Sequence, residues 1–394
     1  MLSRRKKRVY LDVAASAPVS QKSLAVYMRH LSLVGNPSSL HQEGARAKEV
    51  LEDARVRIAH LAQVRAHNVV FTSGATEANT LAIVGYIRKQ IQDGVRPEQM
   101  HVLFHTGAHS SVVESVAEVQ RLGVQTEPLA LLAGLPDTVA LKKQIRPETV
   151  LVILESVSGE TGSIFSTRDV RRALDSAVLA HKTRVRLHVD ASQAPRVQSI
   201  VLSQLGADSL ALDAQKVGGV RGIGALLFSR EPHVTPLMFG GPQERDLRPG
   251  TENPALASAF ASALEECQDT RELFLKRARE IRGGFLRELT TIKDMDVHES
   301  SDQAPHIISL SFLNRDTDYL LFLLDAKGYA VSTKSACESG KEGSRMVALM
   351  SGSDSKARST LRVSFGPDTT ETDLVSCAKE IVRSIRFLDE NALY

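Results

Sequence analysis

The chain is short of several things that would place a protein quickly. It holds three cysteines among 394 residues, Cys267, Cys337 and Cys377. That is too few for a disulfide framework, and no two stand in a CxxC pair, which argues against a structural zinc site. Net charge is nearly absent: 49 Lys and Arg against 46 Asp and Glu leave +3. A strongly basic nucleic-acid binder is thereby excluded, and no direct nucleic-acid contact is expected. Long apolar runs are missing too; stretches such as 129–135 are far too short to span a bilayer. There is no internal repeat and no low-complexity tract. The basic run 4–8 is not followed by an apolar segment of secretory length, so it reads as a solvated tail, and with few cysteines this points to a reducing cytoplasm.

What is present is ordinary globular material, 42% hydrophobic and 24% charged, long enough for two or three domains. Residues 41–63 carry apolar side chains at Ala47, Val50, Leu51, Ala54, Ile58 and Leu61, a helical spacing. A β-rich run follows at 68–71, then a glycine turn at 72–76, then a helix pattern from Glu77 to about Lys89. Further strands are expected at 101–104, 149–154, 186–189, 209–212 and 224–228, with helices between most of them. Strand–helix alternation of this kind predicts a mostly parallel central sheet flanked by helices. Beyond Thr251 the texture changes. A long helix is expected over 254–289, strands at 307–312 and 361–365, and helices at 317–326 and 370–388. These make a smaller α+β domain. The expected division is an N-terminal segment 1–15 packing with the small domain, a large α/β domain 16–255 and a small domain 256–394. The Ser-, Gly- and Lys-rich stretch 337–358 has little periodicity and reads as a mobile loop.

Polar residues cluster where parallel-sheet proteins place their sites, just past the carboxyl ends of strands. The segment 186–190 ends in Asp190 and runs into Ala191-Ser192-Gln193. The segment 209–213 ends in Asp213 and runs into Ala214-Gln215-Lys216 and several glycines. The turn Ser73-Gly74-Ala75-Thr76 precedes a helix, a position from which backbone N–H groups and the helix dipole can hold a phosphate. Taken singly these are weak signals. Asp190 alone reads as a helix cap, Lys216 alone as a solvated loop residue, and the turn as only a turn.

In order along nearly the whole chain, however, the stations 35–39 with His41, 71–79, His109, Glu160-Thr161-Gly162, 188–193, Lys216, 248–253, Ser335-Ala336-Cys337 and 361–364 resemble the fold-type I pyridoxal-phosphate enzymes of aminotransferase class V. They are most similar to cysteine desulfurases. The resemblance implies pyridoxal 5'-phosphate as cofactor and the conversion of L-cysteine to L-alanine with a persulfide left on Cys337. It makes Lys216 the cofactor-binding lysine and Asp190 the partner of the pyridine nitrogen. Gln193 would bond the ring hydroxyl, and His109 would stack on the ring and move protons. Ala75, Thr76, Gln215 and Thr251 would serve the phosphate, with Thr251 supplied across a homodimer. Arg362 and Asn36 would bind the substrate. The 25 positions from Cys337 to Arg362 match the long-loop form, in which the loop carries the persulfide to an acceptor, an iron–sulfur scaffold or a transfer-RNA thiolation enzyme. No metal is implied. Cys267 and Cys377, in helix-like segments, read as packing residues.

The chain departs from the family pattern around the cofactor. The usual Ser-x-His-Lys is Asp213-Ala214-Gln215-Lys216, which brings an anion beside a phosphate dianion unless it turns away or is protonated. Gly159 stands where an asparagine usually bonds the ring hydroxyl, Val13 replaces a further asparagine, and the run after the lysine is Gly218-Gly219-Val220-Arg221-Gly222. Weakened cofactor affinity is expected, with Arg221 or His41 as candidate compensations. Two alternatives stand beside a desulfurase: a selenocysteine lyase or other class V enzyme, and a degenerate paralogue acting as a binding scaffold.

Overall fold

The computed structural model describes residues 8–181, 184–333 and 343–391. They divide into two compact units. One comprises Pro18–Ser156 and Phe165–Arg271; the other comprises the residues up to Ala17, Val157–Ile164 and those from Glu272 on.

The first unit is built on a seven-stranded sheet in the order Val69–Thr72, Gly224–Phe228, Ser209–Asp213, Arg186–Asp190, Thr149–Glu155, His101–Phe104, Gln125–Pro128. All neighbours run parallel except Gly224–Phe228, which is antiparallel to both of its partners. The strands Val69–Thr72, Ser209–Asp213 and Gly224–Phe228 are buried throughout, and Thr149–Glu155 and Arg186–Asp190 at all but one residue each, the pattern of a sheet covered on both faces. Val70, Val102, Ile153, Ala211 and Leu226 from the sheet pack with Ala78, Ile83, Ile87, Val112 and Val116 from helices in one core. The strand Gln125–Pro128, absent from the sequence reading, is the sheet edge. Its residues are polar and partly exposed and it ends in proline, which cannot donate to a ladder and suits an edge position.

The helix expected from Glu77 runs from Ala75 to Gln92, with one π-helical turn at Leu81–Gly85. At the end of that turn Thr235 donates both its N–H and its hydroxyl to the Gly85 carbonyl, each at 3.0 Å.

The other unit holds a three-stranded antiparallel sheet in the order Met295–Val297, Ile307–Phe312, Thr360–Ser364. Helices Thr317–Ala326 and Glu371–Glu390 accompany it, the latter opened by a reciprocal cap between Thr370 and Asp373. Phe285, Leu310, Phe312, Leu361, Phe365, Leu374 and Ile381 form its core. Here Val9–Tyr10 pairs in parallel with Tyr329–Ala330, and Asp12 bridges to Ser364.

The helix Pro254–Leu289 serves both units in turn. Up to Arg271 it buries Ala257, Phe260, Leu264 and Cys267 in the first; beyond, it buries Phe274, Ala278, Ile281 and Phe285 in the second. The first unit thus continues past residue 255 through these turns.

One expectation is corrected. The stretch 337–358 was expected to be a loop, yet it contains helices Arg345–Ser351 and Asp354–Arg358. Ser344 and Ser353 accept the Val347 and Lys356 N–H groups, Gly352 ends the first helix in the left-handed region at φ 64°, and Met346 and Val347 are buried. Serine caps and a C-terminal glycine stabilise helices too short to show a period. Residues 334–342 lie outside the described part of the chain.

Candidate active site

In the first unit the site candidates gather at the carboxyl edge of the sheet, where Asp190, Asp213 and Thr72 each end a strand. Asp190 is buried and held on both carboxylate oxygens. Oδ1 accepts the Ser192 N–H at 3.0 Å and the Ser192 hydroxyl at 2.6 Å; Oδ2 accepts the Asn79 amide at 2.7 Å. Asn79 sits four residues after Ala75 in the helix that opens at Gly74, so both share one face. Only the amino group of Asn79 can donate to a carboxylate, which leaves its oxygen to accept from His188 Nε2–H at 3.0 Å. His188 Nδ1 then accepts from the Ser209 hydroxyl at 2.8 Å. Its ring is fully enclosed, and burial pushes its pKa down to about 4, against the pull of Asp190. A neutral imidazole therefore supports the buried anion indirectly, through an amide.

The same amide reaches His109. Asn79 donates to Ser111 Oγ at 2.9 Å, and that hydroxyl lies 2.8 Å from His109 Nδ1 while the Ser111 N–H donates to the same nitrogen at 3.1 Å. With both Ser111 groups as donors, Nδ1 is an acceptor and the proton of the neutral ring rests on Nε2. His109 and Asp190 are thus joined through Ser111 and Asn79.

A second cluster surrounds the glycine turn. The buried carboxylate of Asp213 accepts the Ala75 N–H on Oδ2 at 3.1 Å and the Gln215 N–H on Oδ1 at 3.0 Å. Gly224 pairs with both Thr72 and Asp213, and a Cβ there would stand 2.6 Å from the Gly74 carbonyl carbon. Glycine is what lets the turn approach so closely. Lys216 ends the short turn Ala214–Lys216 and is half-buried, its carbonyl 3.5 Å from Arg196 Nε. Gln193 is half-buried three residues after Asp190. Thr76, Thr251 and Asn36 are exposed, and Asn36 turns its side chain onto the Ser38 N–H at 2.9 Å. His41 caps the helix Gln42–Ala62 by accepting the Gly44 N–H.

In the other unit Arg362 is buried and fully occupied along one edge. Nη2 donates to Asp12 Oδ1 at 2.7 Å and Nη1 to the Gly159 carbonyl at 2.9 Å. Glu160 accepts the Ser344 hydroxyl and the Met346 N–H, anchoring the start of helix Arg345–Ser351. Cys337, with Lys334 and Lys341, lies outside the described residues. Cys267 and Cys377 are buried, and burial raises both thiols, Cys377 to about 12.

The sequence reading missed the supporting residues Asn79, Ser111, Ser192, His188 and Ser209. Two of them carried a signal: Asn79 at helical spacing from Ala75, and His188 two residues before Asp190, on the same strand face.

The fold and this edge-of-sheet arrangement define a mixed α/β protein of the fold-type I class, with a large mostly parallel sheet and a smaller α+β part. The family model for aminotransferase class V matches residues 9–376. The chain is 30% identical over 374 residues to cysteine desulfurase IscS of Dictyoglomus turgidum, covering 94% of this chain and 92% of that protein. It is 32% identical over 391 residues to cysteine desulfurase IscS of Vibrio cholerae, covering 95% and 92%. A solved NifS-like protein superposes with a TM-score of 0.88 at 25% identity, over 97% of this chain and 100% of that one. The chain belongs to the aminotransferase class-V family.

Proposed function

We propose that the protein is a pyridoxal-phosphate-dependent cysteine desulfurase, converting L-cysteine to L-alanine and passing sulfur through a persulfide on Cys337. Family membership and relatives bearing that name support the reading. The observation that carries it is the clamp on Asp190: a buried carboxylate held by Asn79 and Ser192 at the strand end, three residues before Gln193.

The residues present fit the cofactor. A buried, oriented carboxylate suits a protonated ring nitrogen, Lys216 is the amine for covalent attachment, and the Ala75 N–H already binds an anion, the protein's own Asp213. When bound, the cofactor supplies an electron sink for the substrate α-carbon. Asp190 holds the ring-nitrogen proton. His109, with its proton on Nε2 and Nδ1 fixed by Ser111, positions a proton donor for the substrate. Gln193 orients the ring hydroxyl, and Thr76, Gln215 and Thr251 serve the phosphate, Thr251 from the second subunit of a homodimer. Arg362 and Asn36 bind the substrate; Arg362 has its fork oriented by Asp12 and the Gly159 carbonyl. Cys337 attacks the substrate sulfur as a thiolate. The acceptor is an iron–sulfur scaffold or a transfer-RNA thiolation enzyme, in the cytoplasm.

The test is incubation of the cofactor-loaded protein with L-cysteine, measuring alanine and the mass of the Cys337 peptide. Alanine with a 32-Da adduct on that peptide is expected, on the order of one sulfur atom before turnover by a reductant. Cofactor uptake with neither product would refute the activity and leave the scaffold reading.

A further inference from the structure

Asp213 stands on the N–H that the phosphate needs. Its two carboxylate oxygens take the Ala75 N–H at 3.1 Å and the Gln215 N–H at 3.0 Å, one from the start of the helix after the glycine turn and one from the turn that ends at Lys216. Asp213 is buried and nothing bulky separates it from the turn; a Cβ on Gly74 would lie 3.2 Å from Oδ2. The geometry is that of an anion bound at a helix start, with the anion supplied by the chain itself.

One N–H cannot serve a carboxylate and a phosphate together. Two adjacent anions in a partly buried site repel, and the displaced one loses its charge-assisted hydrogen bonds. We infer that Asp213 is a resident anion that occupies the phosphate seat and removes most of the preference this site would otherwise have for a phosphorylated over a non-phosphorylated pyridoxal. The inference rests on the reading of the site as a pyridoxal-phosphate site. Seating a phosphate requires Asp213 to leave, and its departure frees the Ala75 and Gln215 N–H groups at once. The second of these adjoins Lys216, so the turn carrying the lysine is restrained by Asp213 until the phosphate arrives. Ring contacts through Asp190, Gln193 and Lys216 are untouched by this competition, which is why it shows as a loss of phosphate selectivity.

The experiment is equilibrium dialysis of the full-length protein against pyridoxal 5'-phosphate and, separately, pyridoxal. The ratio of the two dissociation constants reports the phosphate's contribution alone and is insensitive to a general weakening of the site. The wild-type ratio is expected to stay within about threefold, and Asp213→Ser and Asp213→Asn to raise the phosphate preference about thirtyfold, the size of a charge-assisted contact regained. Asp213→Asn keeps the side-chain volume, so it guards against a folding failure of the serine variant. Thermal melts in inorganic phosphate give a second reading: phosphate should stabilise both variants and leave the wild type unmoved. A wild-type preference already near thirtyfold, or a ratio unchanged in both variants, overturns the inference while leaving the desulfurase reading intact. Uptake of neither compound by any of the three proteins overturns both.

Discussion

The Asn79 amide donates to Asp190 Oδ2 at 2.7 Å while its oxygen accepts from His188 at 3.0 Å. One side chain therefore fixes the direction of the carboxylate at the strand end and connects it to a fully buried imidazole. Asn79→Ala should leave the Asp190 oxygen and the His188 Nε2–H without partners in a buried site. A loss of about 2 kcal/mol of stability is expected from unsatisfied buried groups, together with a fall of about tenfold or more in alanine formation as Asp190 loses its orientation. Asn79→Asp should do worse, since it sets a second carboxylate against Asp190. Urea denaturation and the alanine assay check both, and an Asn79→Ala protein of full activity would remove Asn79 from the positioning role.

Arg362 offers a separate test of the substrate end. Its guanidinium spans Asp12 and the Gly159 carbonyl from a buried position. Lysine cannot reproduce that fork. Arg362→Lys is expected to raise KM for L-cysteine by about tenfold or more with a smaller change in kcat, the signature of lost ground-state binding. Removing the partner instead, Asp12→Ala, should cost about 3 kcal/mol of stability, because the arginine is left buried beside fewer acceptors. Steady-state kinetics and denaturation midpoints separate the two. An unchanged KM in Arg362→Lys would place the substrate carboxylate elsewhere.

How far such features could be read in advance depends on which interactions define them. Strands ending in Asp190 and Asp213 were legible because a buried apolar run closing on an acid is a local pattern. The helix Pro254–Leu289 was legible because its period persists over many turns. Asn79 was visible only as a motif letter, since its partners lie on three other segments, at Ser111, His188 and Asp190. The edge strand Gln125–Pro128 has no strand-like pattern of its own; it exists because His101–Phe104 offers it a ladder. The helices at 345–351 and 354–358 rest on serine caps, and the first also on Glu160, a residue distant in sequence. The identity of Asp213 flagged a conflict with phosphate, but not where its oxygens point. Its oxygens meet the Ala75 and Gln215 N–H groups, and the pairing of Gly224 with both Thr72 and Asp213 is what brings the glycine turn beside that strand end.

Stability should fall as the solution is acidified below neutrality. Burial holds His188 at about 4 and also lowers His101 and His298. In the unfolded chain each titrates near 6.5. Below that pH the unfolded state binds protons that the folded state refuses, so stability present above about 6.5 is lost as pH falls toward the folded value. One such histidine contributes a slope of up to about 1.4 kcal/mol per pH unit across that window. Urea midpoints at pH 7, 6 and 5 should decline in the wild type and decline less in His188→Gln, which keeps hydrogen-bonding capacity without the titration. Equal slopes in the two proteins would show that His188 is not a main acid-sensitive group.

Thiol chemistry should separate Cys337 from its two companions. Cys267 donates to the Val217 carbonyl from a buried helix face, and its thiol is raised by burial. Cys377 is raised to about 12 for the same reason. Neither presents a thiolate to an alkylating agent at neutral pH, and neither is exposed to meet one. A nucleophile that attacks substrate sulfur must do both. Brief iodoacetamide treatment of the folded protein at pH 7 should therefore modify Cys337 alone and stop alanine release, and after exposure to L-cysteine and its removal the reagent should be found on the outer sulfur of the Cys337 persulfide. Cys337→Ser should be inert to the reagent and inactive, while Cys267→Ala and Cys377→Ala should stay active with stability losses of about 1–2 kcal/mol from their small cavities. Peptide mapping after alkylation reads the site directly. Modification of Cys267 or Cys377 ahead of Cys337, or activity surviving in Cys337→Ser, would assign the sulfur-carrying role to another group.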